Sequence, residues 1–189
     1  MIRRRSLANH VAAVMDAPEL TDLIRRHAGL IHRIAYGYCR DATDREEVVQ
    51  EVALQLWRSR HRYDERRKET TWVYRIALNV AISFQRRERR HREGRLPIDA
   101  HAITLAAAPE VEAGEDVQLL MRCIDELGAL DKALALLYLD GNDHASIADV
   151  LGISVSNVGT KLHRIKDRLR VSFEERARTN PKEKPHAAR

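Results

Sequence analysis

The sequence predicts an all-α fold of two small helical domains joined by a flexible linker, the second of which contains a helix-turn-helix. Apolar residues recur at spacings of three and four along most of the 189 residues, which is the pattern of amphipathic helices. Between Leu96 and Met121 the chain instead has two prolines, five acidic residues and no Lys or Arg. We therefore predict a linker over residues 94–115, one domain over residues 19–93 and another over residues 116–173.

The first domain begins with an apolar pattern that predicts one amphipathic helix from Glu19 to about Arg40, kinked at Gly29. A second helix follows, with Asp44 as its predicted N-cap and Trp57 pointing into the core. The opposite face of this second helix is polar and acidic, although the net charge of the protein is +5. Composition alone leaves open whether that face is a solvated surface or a binding surface. Its residues are Glu47, Gln50 and Glu51.

A polar loop that contains Tyr63 leads to a helix predicted from Thr71 to Arg92, with Trp72 on its apolar stripe. The other side of this helix carries polar and cationic residues at steps of about four, a spacing that suits contacts with successive phosphates of a nucleic acid. Aromatic residues at its start provide surfaces on which bases stack. The alternative is that the arginines simply end a solvated helix. The row consists of Arg75, Asn79, Ser83, Arg86, Arg87 and Arg90.

The second domain carries the pattern of a helix-turn-helix over residues 144–170. Gly152 is predicted to end the first helix in the left-handed conformation, and Ser154 to cap the second, whose apolar stripe includes Val155 and Val158. The opposite face of the second helix combines small polar groups with cations, which suits a helix in the major groove of DNA. A helical hairpin with a solvated basic face is the alternative. The predicted DNA-binding residues are Ser156, Asn157, Thr160, Lys161, His163 and Arg164.

The remaining features predict a cytoplasmic protein without a cofactor and without membrane insertion. Residues 1–18 form a predicted basic arm, because polar residues interrupt the apolar run that an export signal needs, and residues 174–189 are predicted to be disordered. No apolar run approaches the length of a membrane span. Cys39 and Cys123 lie far apart with no CxxC pair, so we predict buried, reduced thiols. A metal site shared with distant histidines is the less favoured alternative.

Three motifs, in this order, resemble the extracytoplasmic-function (ECF) sigma factors of bacterial RNA polymerase. They are DREEVVQEVALQLW, TTWVYRIALNVAISFQRRERR and GISVSNVGTKLHRIKDRLR, and the resemblance covers about 150 of the 189 residues. It implies a dissociable initiation factor with no active site, which binds core RNA polymerase, recognises the −10 and −35 promoter elements and promotes DNA melting. It also implies an anti-sigma factor as a further partner, since the family often has one that masks both domains.

The resemblance also implies roles for the residues singled out above. The run that binds the polymerase clamp in that family corresponds here to Asp44, Glu47, Gln50 and Glu51. The part that captures unpaired bases of the proximal promoter element corresponds to Tyr63, Trp72, Arg75 and Asn79. The residues that would hold the adjacent phosphates are Arg86, Arg87 and Arg90. The polar face of the second helix of the helix-turn-helix would contact the upstream element as duplex DNA.

Three positions depart from the family pattern. Ala53 stands where an aromatic residue is usual, Gly128 lies where the family usually has Leu-Pro-Pro, and Gly159 replaces a frequent lysine. A glycine within a helix costs about 1 kcal/mol relative to alanine. Gly159 therefore indicates either a close approach of the backbone to DNA or an altered upstream element. The sequence does not determine which promoter sequences are recognised.

Two other classes of function fit the sequence less well. A stand-alone helix-turn-helix regulator would dimerise and bind a palindromic site, but it leaves the acidic face of the second helix without a role. An enzyme has no support, because the sequence contains no HExxH, no phosphate-binding glycine-rich loop and no nucleophile motif.

Overall fold

The computed structural model describes residues 15–93 and 114–179, and over those residues it contains helices and turns but no strand. The predicted all-α class is confirmed. The N-terminal unit comprises α1 (Ala17–Arg26), α2 (Ala28–Tyr38), α3 (Ala42–Ser59), a 3-10 helix (Arg60–Arg62) and α4 (Glu69–Glu93). The C-terminal unit comprises α5 (Glu115–Asp125), α6 (Ala129–Leu139), α7 (His144–Leu151) and α8 (Val155–Thr179). The predicted basic arm and linker lie outside the described residues, except for their last few positions.

The first predicted helix is in fact two helices that meet at His27. Asp16 caps α1, because its carboxylate accepts a hydrogen bond from the backbone N–H of Glu19 at 2.9 Å. At His27 the backbone leaves helical geometry, with φ −103° and ψ 10°. Gly29 lies within α2, so the predicted kink at Gly29 was wrong. The break at His27 lets α1 and α2 direct their apolar faces into the same core.

Helix α3 begins three residues earlier than predicted, because its N-cap is Asp41 and not Asp44. The Asp41 carboxylate accepts a hydrogen bond from the backbone N–H of Asp44 at 2.8 Å. The prediction that Trp57 points into the core was also wrong, since 42% of this residue is exposed. The Arg60 guanidinium lies 4.1 Å from the centre of the Trp57 ring, and a cation over the ring face stabilises this outward position.

Helix α4 is the long helix on which α2 and α3 pack. Val73, Ala77 and Ala81 follow each other at steps of four and are fully buried. The two alanines let the neighbouring helices approach closely, because they add little side-chain bulk at the contact. Between Phe84, which is buried, and His91, the surface of this helix is dominated by arginines.

The C-terminal unit contains the predicted helix-turn-helix. Gly152 ends α7 with φ +67° and ψ 33°, the left-handed conformation that favours glycine. The Ser154 hydroxyl accepts a hydrogen bond from the backbone N–H of Asn157 at 3.2 Å, which confirms the predicted cap. Val158 is fully buried between α7 and α8. Val155, predicted on the same apolar stripe, is 51% exposed because it stands at the very start of α8.

Helix α8 continues to Thr179, so the prediction of disorder was wrong for residues 174–179. Residues 180–189 lie outside the described part of the chain. The added turns are held against α5, because Arg176 forms an ion pair with Glu126 and the Ser172 hydroxyl donates to the same carboxylate at 3.4 Å. These two contacts give the end of α8 a tertiary anchor that the local sequence pattern did not indicate.

The two units pack against each other and share one buried core, a contact that the sequence did not predict. Helix α4 contacts α7, and Gly37 of α2 lies against Leu136 of α6. A Cβ atom added at Gly37 would lie 2.6 Å from Cδ1 of Leu136. Glycine at this position therefore permits a closer approach of α2 to α6 than any other residue would.

Candidate nucleic-acid and protein interfaces

The acidic face of α3 is exposed, as the sequence predicts. Glu47 and Glu51 keep 55% and 41% of their side chains exposed, and Gln50 is exposed between them. Asp44 is half-buried in the first turn of α3, where a carboxylate is favoured by the positive end of the helix dipole. Within the unit, Glu51 accepts a hydrogen bond from the Gln55 amide at 2.7 Å. The four residues thus form a carboxylate-rich ridge along one side of the helix.

A groove of about 510 Å³ lies between this ridge and α4. Its walls contain residues from two predicted sites, the acidic face of α3 and the cationic row of α4. Arg87 and Arg90 of α4 line the groove together with Glu47 and Glu51. The Arg87 guanidinium donates to the Glu47 carboxylate across it and lies 4.9 Å from the centre of the Phe84 ring. Arg87 is therefore engaged by a carboxylate although half of its side chain is exposed, and Arg86 and Arg90 are exposed as well.

A second cavity, of about 340 Å³, lies where the 3-10 helix and the following loop meet the start of α4. The rings of Tyr63 and Trp72 form its aromatic part, with their centroids 5.0 Å apart and their planes tilted by 43°. Arg62, Arg67 and Arg75 supply cations on its walls. Aromatic faces beside guanidinium groups are the usual means of holding unpaired bases. Burial is the main cause that raises the pKa of Tyr63, so its hydroxyl stays neutral.

The sequence pattern singles out Tyr63 in this loop but neither Arg62 nor Arg67. Arg62 precedes Tyr63 and Arg67 follows it, in a run rich in charged residues. The helical spacing that identified Arg75 therefore does not apply to these two arginines. The only signal available in the sequence is their proximity to Tyr63 and Trp72. The structure places both arginines on the cavity walls.

Arg75 does not face solvent freely, in contrast to the role that the resemblance implies. Its Nε atom donates to the carbonyl of Val150 at 3.2 Å, and its Nη2 atom donates to the carbonyl of Asp149. These carbonyls belong to the last turn of α7, where a cation is favoured by the negative end of the helix dipole. Only 35% of the Arg75 side chain remains exposed.

Asn79 and Arg86 are exposed but line a groove of about 430 Å³ whose opposite wall belongs to the C-terminal unit. That wall includes Leu130 of α6 together with Val150 of α7. Arg75, Asn79 and Arg86 of the predicted nucleic-acid row thus lie along the boundary between the two units, whereas Arg87 and Arg90 line the groove beside α3. Nothing in the helical spacing of α4 indicated which element would stand opposite the row.

The predicted DNA-binding face of α8 is open. Five of its residues are exposed, namely Ser156, Asn157, Thr160, His163 and Arg164. Lys161 is half-buried and lies 3.6 Å from the Asp131 carboxylate of α6. A Cβ atom added at Gly159 would meet only the His144 ring at 3.9 Å, an ordinary contact distance. Packing within the protein therefore does not require glycine at this position.

A polar network around the buried Tyr74, at the boundary between the units, was not predicted. The Asp140 carboxylate at the end of α6 accepts a hydrogen bond from the Tyr74 hydroxyl and pairs with Arg33 of α2. Asn142 donates to the Tyr74 hydroxyl at 3.0 Å and to the Leu137 carbonyl at 2.9 Å. Burial and then the hydrogen bond to Asp140 raise the pKa of Tyr74, so the hydroxyl remains a donor.

The described part of the chain holds no group of three or more His, Cys, Asp or Glu residues arranged to bind a metal ion. Cys39 and Cys123 are both buried and unpaired, as predicted. Burial, followed by the nearby carboxylates of Asp44 and Asp41, raises the pKa of Cys39 to about 12. No helix among residues 15–93 and 114–179 is long and apolar enough to cross a membrane.

Comparison with known families matches residues 23–91 to Sigma-70 region 2 and residues 118–169 to Sigma-70, region 4. The ECF RNA polymerase sigma factor SigE of Mycolicibacterium smegmatis is 28% identical over 169 residues, which cover 84% of this chain. The chain spans 65% of the length of that relative. The ECF RNA polymerase sigma factor SigL of Mycobacterium tuberculosis is 30% identical over 167 residues, which cover 87% of this chain and 94% of SigL.

Two solved structures share the fold at low sequence identity. CnrH in complex with the cytosolic domain of CnrY aligns with a TM-score of 0.63 and 19% identity, over 85% of this chain and 90% of CnrH. The sigma factor RpoE in complex with the anti-sigma factor NepR from Bartonella quintana aligns with a TM-score of 0.63 and 16% identity. That match covers 82% of this chain and 96% of RpoE.

Proposed function

Because this chain belongs to the extracytoplasmic-function family of RNA polymerase sigma factors, we propose that it binds core RNA polymerase, recognises two promoter elements and promotes DNA melting at the start of transcription. The observation that carries the proposal is the presence, in one chain, of both sigma regions with a distinct exposed surface in each. The chain supplies no catalytic group in this scheme. It acts through binding energy, in the cytoplasm, where the core enzyme works.

The ridge of α3 is the proposed contact with the core enzyme. Its carboxylates suit a basic partner surface, and their exposure means that little protein structure must be rearranged before docking. Asp44, Glu47, Gln50 and Glu51 are the proposed contact residues. The Arg87–Glu47 pair would orient the Glu47 carboxylate and limit the number of positions that it adopts before binding.

The cavity beside Tyr63 and Trp72 is the proposed site for unpaired bases of the proximal promoter element. Stacking of a base on an aromatic ring contributes about 1–3 kcal/mol. This gain offsets the few kcal/mol that unstacking a base step costs. Arg75 and Asn79 would contact the same strand. The exposed Arg86 and Arg90 would contact the phosphates of that strand. Arg87 would have to exchange its carboxylate partner for a phosphate.

The exposed face of α8 is the proposed contact with the upstream element. Ser156, Asn157 and Thr160 lie near the N-terminus of the helix, the end that meets base edges in helix-turn-helix proteins. His163 and Arg164 follow one turn later, and Lys161 on the flank is placed for a phosphate. Two weak DNA contacts on one polymerase act together, because each raises the effective concentration of the other.

An anti-sigma factor is the proposed regulatory partner. RpoE of Bartonella quintana was solved with such a factor, and CnrH with the cytosolic domain of CnrY. A protein that covers the ridge of α3 or the face of α8 would block initiation without altering the fold. Co-purification of the tagged chain from its own host, followed by identification of bound proteins, tests this part of the proposal.

A selection experiment separates the sigma-factor proposal from the stand-alone regulator. Fragmented genomic DNA is incubated with the chain, with and without core RNA polymerase, and the fragments retained after a heparin challenge are sequenced. The proposal predicts retention only with the core enzyme, and two separate shared elements upstream of a melted segment. A single palindromic site retained without polymerase would favour the regulator instead.

A further inference from the structure

The predicted DNA-binding face of α8 has a gap at Gly159. This glycine lies three residues after Ser156 and four residues before His163, and both of those residues are exposed, so the three positions share one side of the helix. The sigma family frequently has a lysine at this position, and packing within the protein does not require a glycine there. The missing side chain is therefore a feature of the DNA-facing surface and not of the core.

The side chain that borders this gap comes from the other helix of the helix-turn-helix. His144 is the first residue of α7, and the Cε1 and Nδ1 atoms of its ring each lie 3.9 Å from the position that a Cβ atom of residue 159 would occupy. His144 is exposed, so the ring lies at the surface beside α8 and not beneath it. The imidazole thus extends the DNA-binding face at the point where α8 itself has no side chain.

We propose that His144 is a further DNA-contact residue, whose imidazole donates to a phosphate at the rim of the upstream element in place of the lysine that position 159 lacks. The inference rests on the proposed function, because it adds one residue to the contact of the helix-turn-helix with duplex DNA. It also gives Gly159 a reason, since a long side chain at that position and the ring of His144 would serve the same phosphate.

The position of His144 suits a phosphate better than a base. In helix-turn-helix proteins the second helix enters the major groove, whereas the first helix crosses the sugar–phosphate backbone. His144 stands at the N-terminal end of the first helix, α7, and Ser156 and Asn157 stand at the N-terminal end of the second, α8. A strand whose bases meet Ser156 and Asn157 therefore has its phosphates on the side of α7. An N–H donor at that rim is placed for a phosphate oxygen.

The His144 ring can take a phosphate without giving up a partner within the protein. Within the described part of the chain, no group hydrogen-bonds to this ring. The neighbouring carboxylate, Asp143, accepts a hydrogen bond from the backbone N–H of Ser146 at 2.7 Å and so caps its own helix. His163 differs in this respect, because its ring lies 3.5 Å from the Asp167 carboxylate, one turn further along α8.

His144→Ala measures the contact in the complete holoenzyme. The variant leaves the Asp143–Ser146 cap in place and removes only an exposed ring, so the helix-turn-helix should keep its fold. The affinity of the holoenzyme for promoter DNA should fall about tenfold, the factor expected for one lost hydrogen bond to a charged group. The loss should be the same for all upstream sequences, because a phosphate carries no information about the base. His32→Ala, which removes an exposed histidine of α2, is the matched control and should bind as the parent does.

Gly159→Lys provides the reciprocal test. Its Cβ atom would stand at an ordinary contact distance from the His144 ring, and replacement of a glycine within a helix favours the helix. In the His144→Ala background this lysine should restore the lost affinity, because its ammonium group reaches the same phosphate. In the parent chain it should add little, because His144 already holds that phosphate. Such non-additivity identifies two residues that share one partner.

Two further variants separate this explanation from others. Val171→Lys adds the same charge to an exposed position of α8 about 18 Å further along the helix, and it should not rescue His144→Ala. Rescue by Val171→Lys would assign the gain to net charge and contradict the proposal. Gly159→Ala should bind as the parent does. Loss of binding with Gly159→Ala would instead assign the glycine to a close approach of the backbone to DNA, and it would contradict the replacement by His144.

The probe is a fluorescein-labelled promoter fragment that the parent holoenzyme retains in the genomic selection, and its binding to each holoenzyme is followed by anisotropy. A loss with His144→Ala that Gly159→Lys restores supports the proposal. If the parent selects promoters with two elements but His144→Ala binds them equally well, the role of His144 is refuted and the sigma-factor proposal stands. If the parent selects no fragment with the core enzyme, the sigma-factor proposal itself fails, and the role of His144 fails with it.

Discussion

Reversal of one charge on the ridge of α3 gives the sharpest test of the proposed polymerase contact. In Glu51→Arg, the new cation faces Arg58, which lies 3.5 Å from the present carboxylate, and the bond from Gln55 is lost. An exposed ion pair is worth less than about 1 kcal/mol, so the free energy of unfolding should fall by no more than that. At an interface with a basic partner, the same reversal should weaken core binding at least about tenfold, which corresponds to about 1.4 kcal/mol of binding free energy.

The assay is the fluorescence anisotropy of dye-labelled protein titrated with core RNA polymerase at two salt concentrations. Asp22→Arg is the matched control, because Asp22 is also an exposed carboxylate paired with an arginine, Arg25 at 3.0 Å, but lies on α1. The control should bind the core enzyme as tightly as the parent. Equal losses for both reversals, or full affinity of Glu51→Arg, would refute the assignment of this ridge.

Three further predictions follow from the described residues. Trp72→Ala should lower core-dependent melting of the proximal element by the factor that corresponds to about 1–3 kcal/mol of stacking. Permanganate reactivity of unpaired thymines measures this melting. Unchanged reactivity would remove Trp72 from that site. Asn157→Ala should weaken selection at the upstream element by about 1–3 kcal/mol per affected base pair and leave core binding unchanged. Selection of the same upstream sequences by the variant would contradict this role of Asn157. Cys39, with a pKa raised to about 12 by burial and by Asp44 and Asp41, should react with a thiol reagent at pH 8 only after unfolding. Because that pKa is higher in the folded than in the unfolded chain, the associated stability is present below about pH 8.5 and is lost as the pH rises toward 12. A denaturation midpoint that rises over that range would be inconsistent with this sign.

The fold class and the helix-turn-helix were predictable because their signals are local. The conformation of Gly152 and the cap at Ser154 depend on residues within a few positions, and both are confirmed. Helical spacing also identified the exposed ridge of α3. Local signals failed at the end of α8, because its anchor, Glu126, lies 50 positions before Arg176. They also failed at Trp57, whose ring stays on the exposed side of α3 beneath the Arg60 guanidinium.

The contact between the units could not be predicted from the sequence. Helical periodicity shows which face of a helix is buried, but it does not show which element covers that face. Arg33 and Asp140 are 107 positions apart, and Arg75 and Asp149 are 74 positions apart. The same arginine spacing on α4 therefore fits both a nucleic-acid row and a boundary with α7, and only the structure reveals the boundary. The roles of the individual site residues stay predictions.

Mapping of transcription start sites in vitro decides whether this chain is an initiation factor. Purified core RNA polymerase transcribes a genomic promoter library in the presence and in the absence of this chain. An initiation factor should give new start sites only when the chain is added, all preceded by the same two short elements. These start sites should be lost with Glu51→Arg. If the chain adds no start sites to those of the core enzyme alone, its assignment as an initiation factor is contradicted.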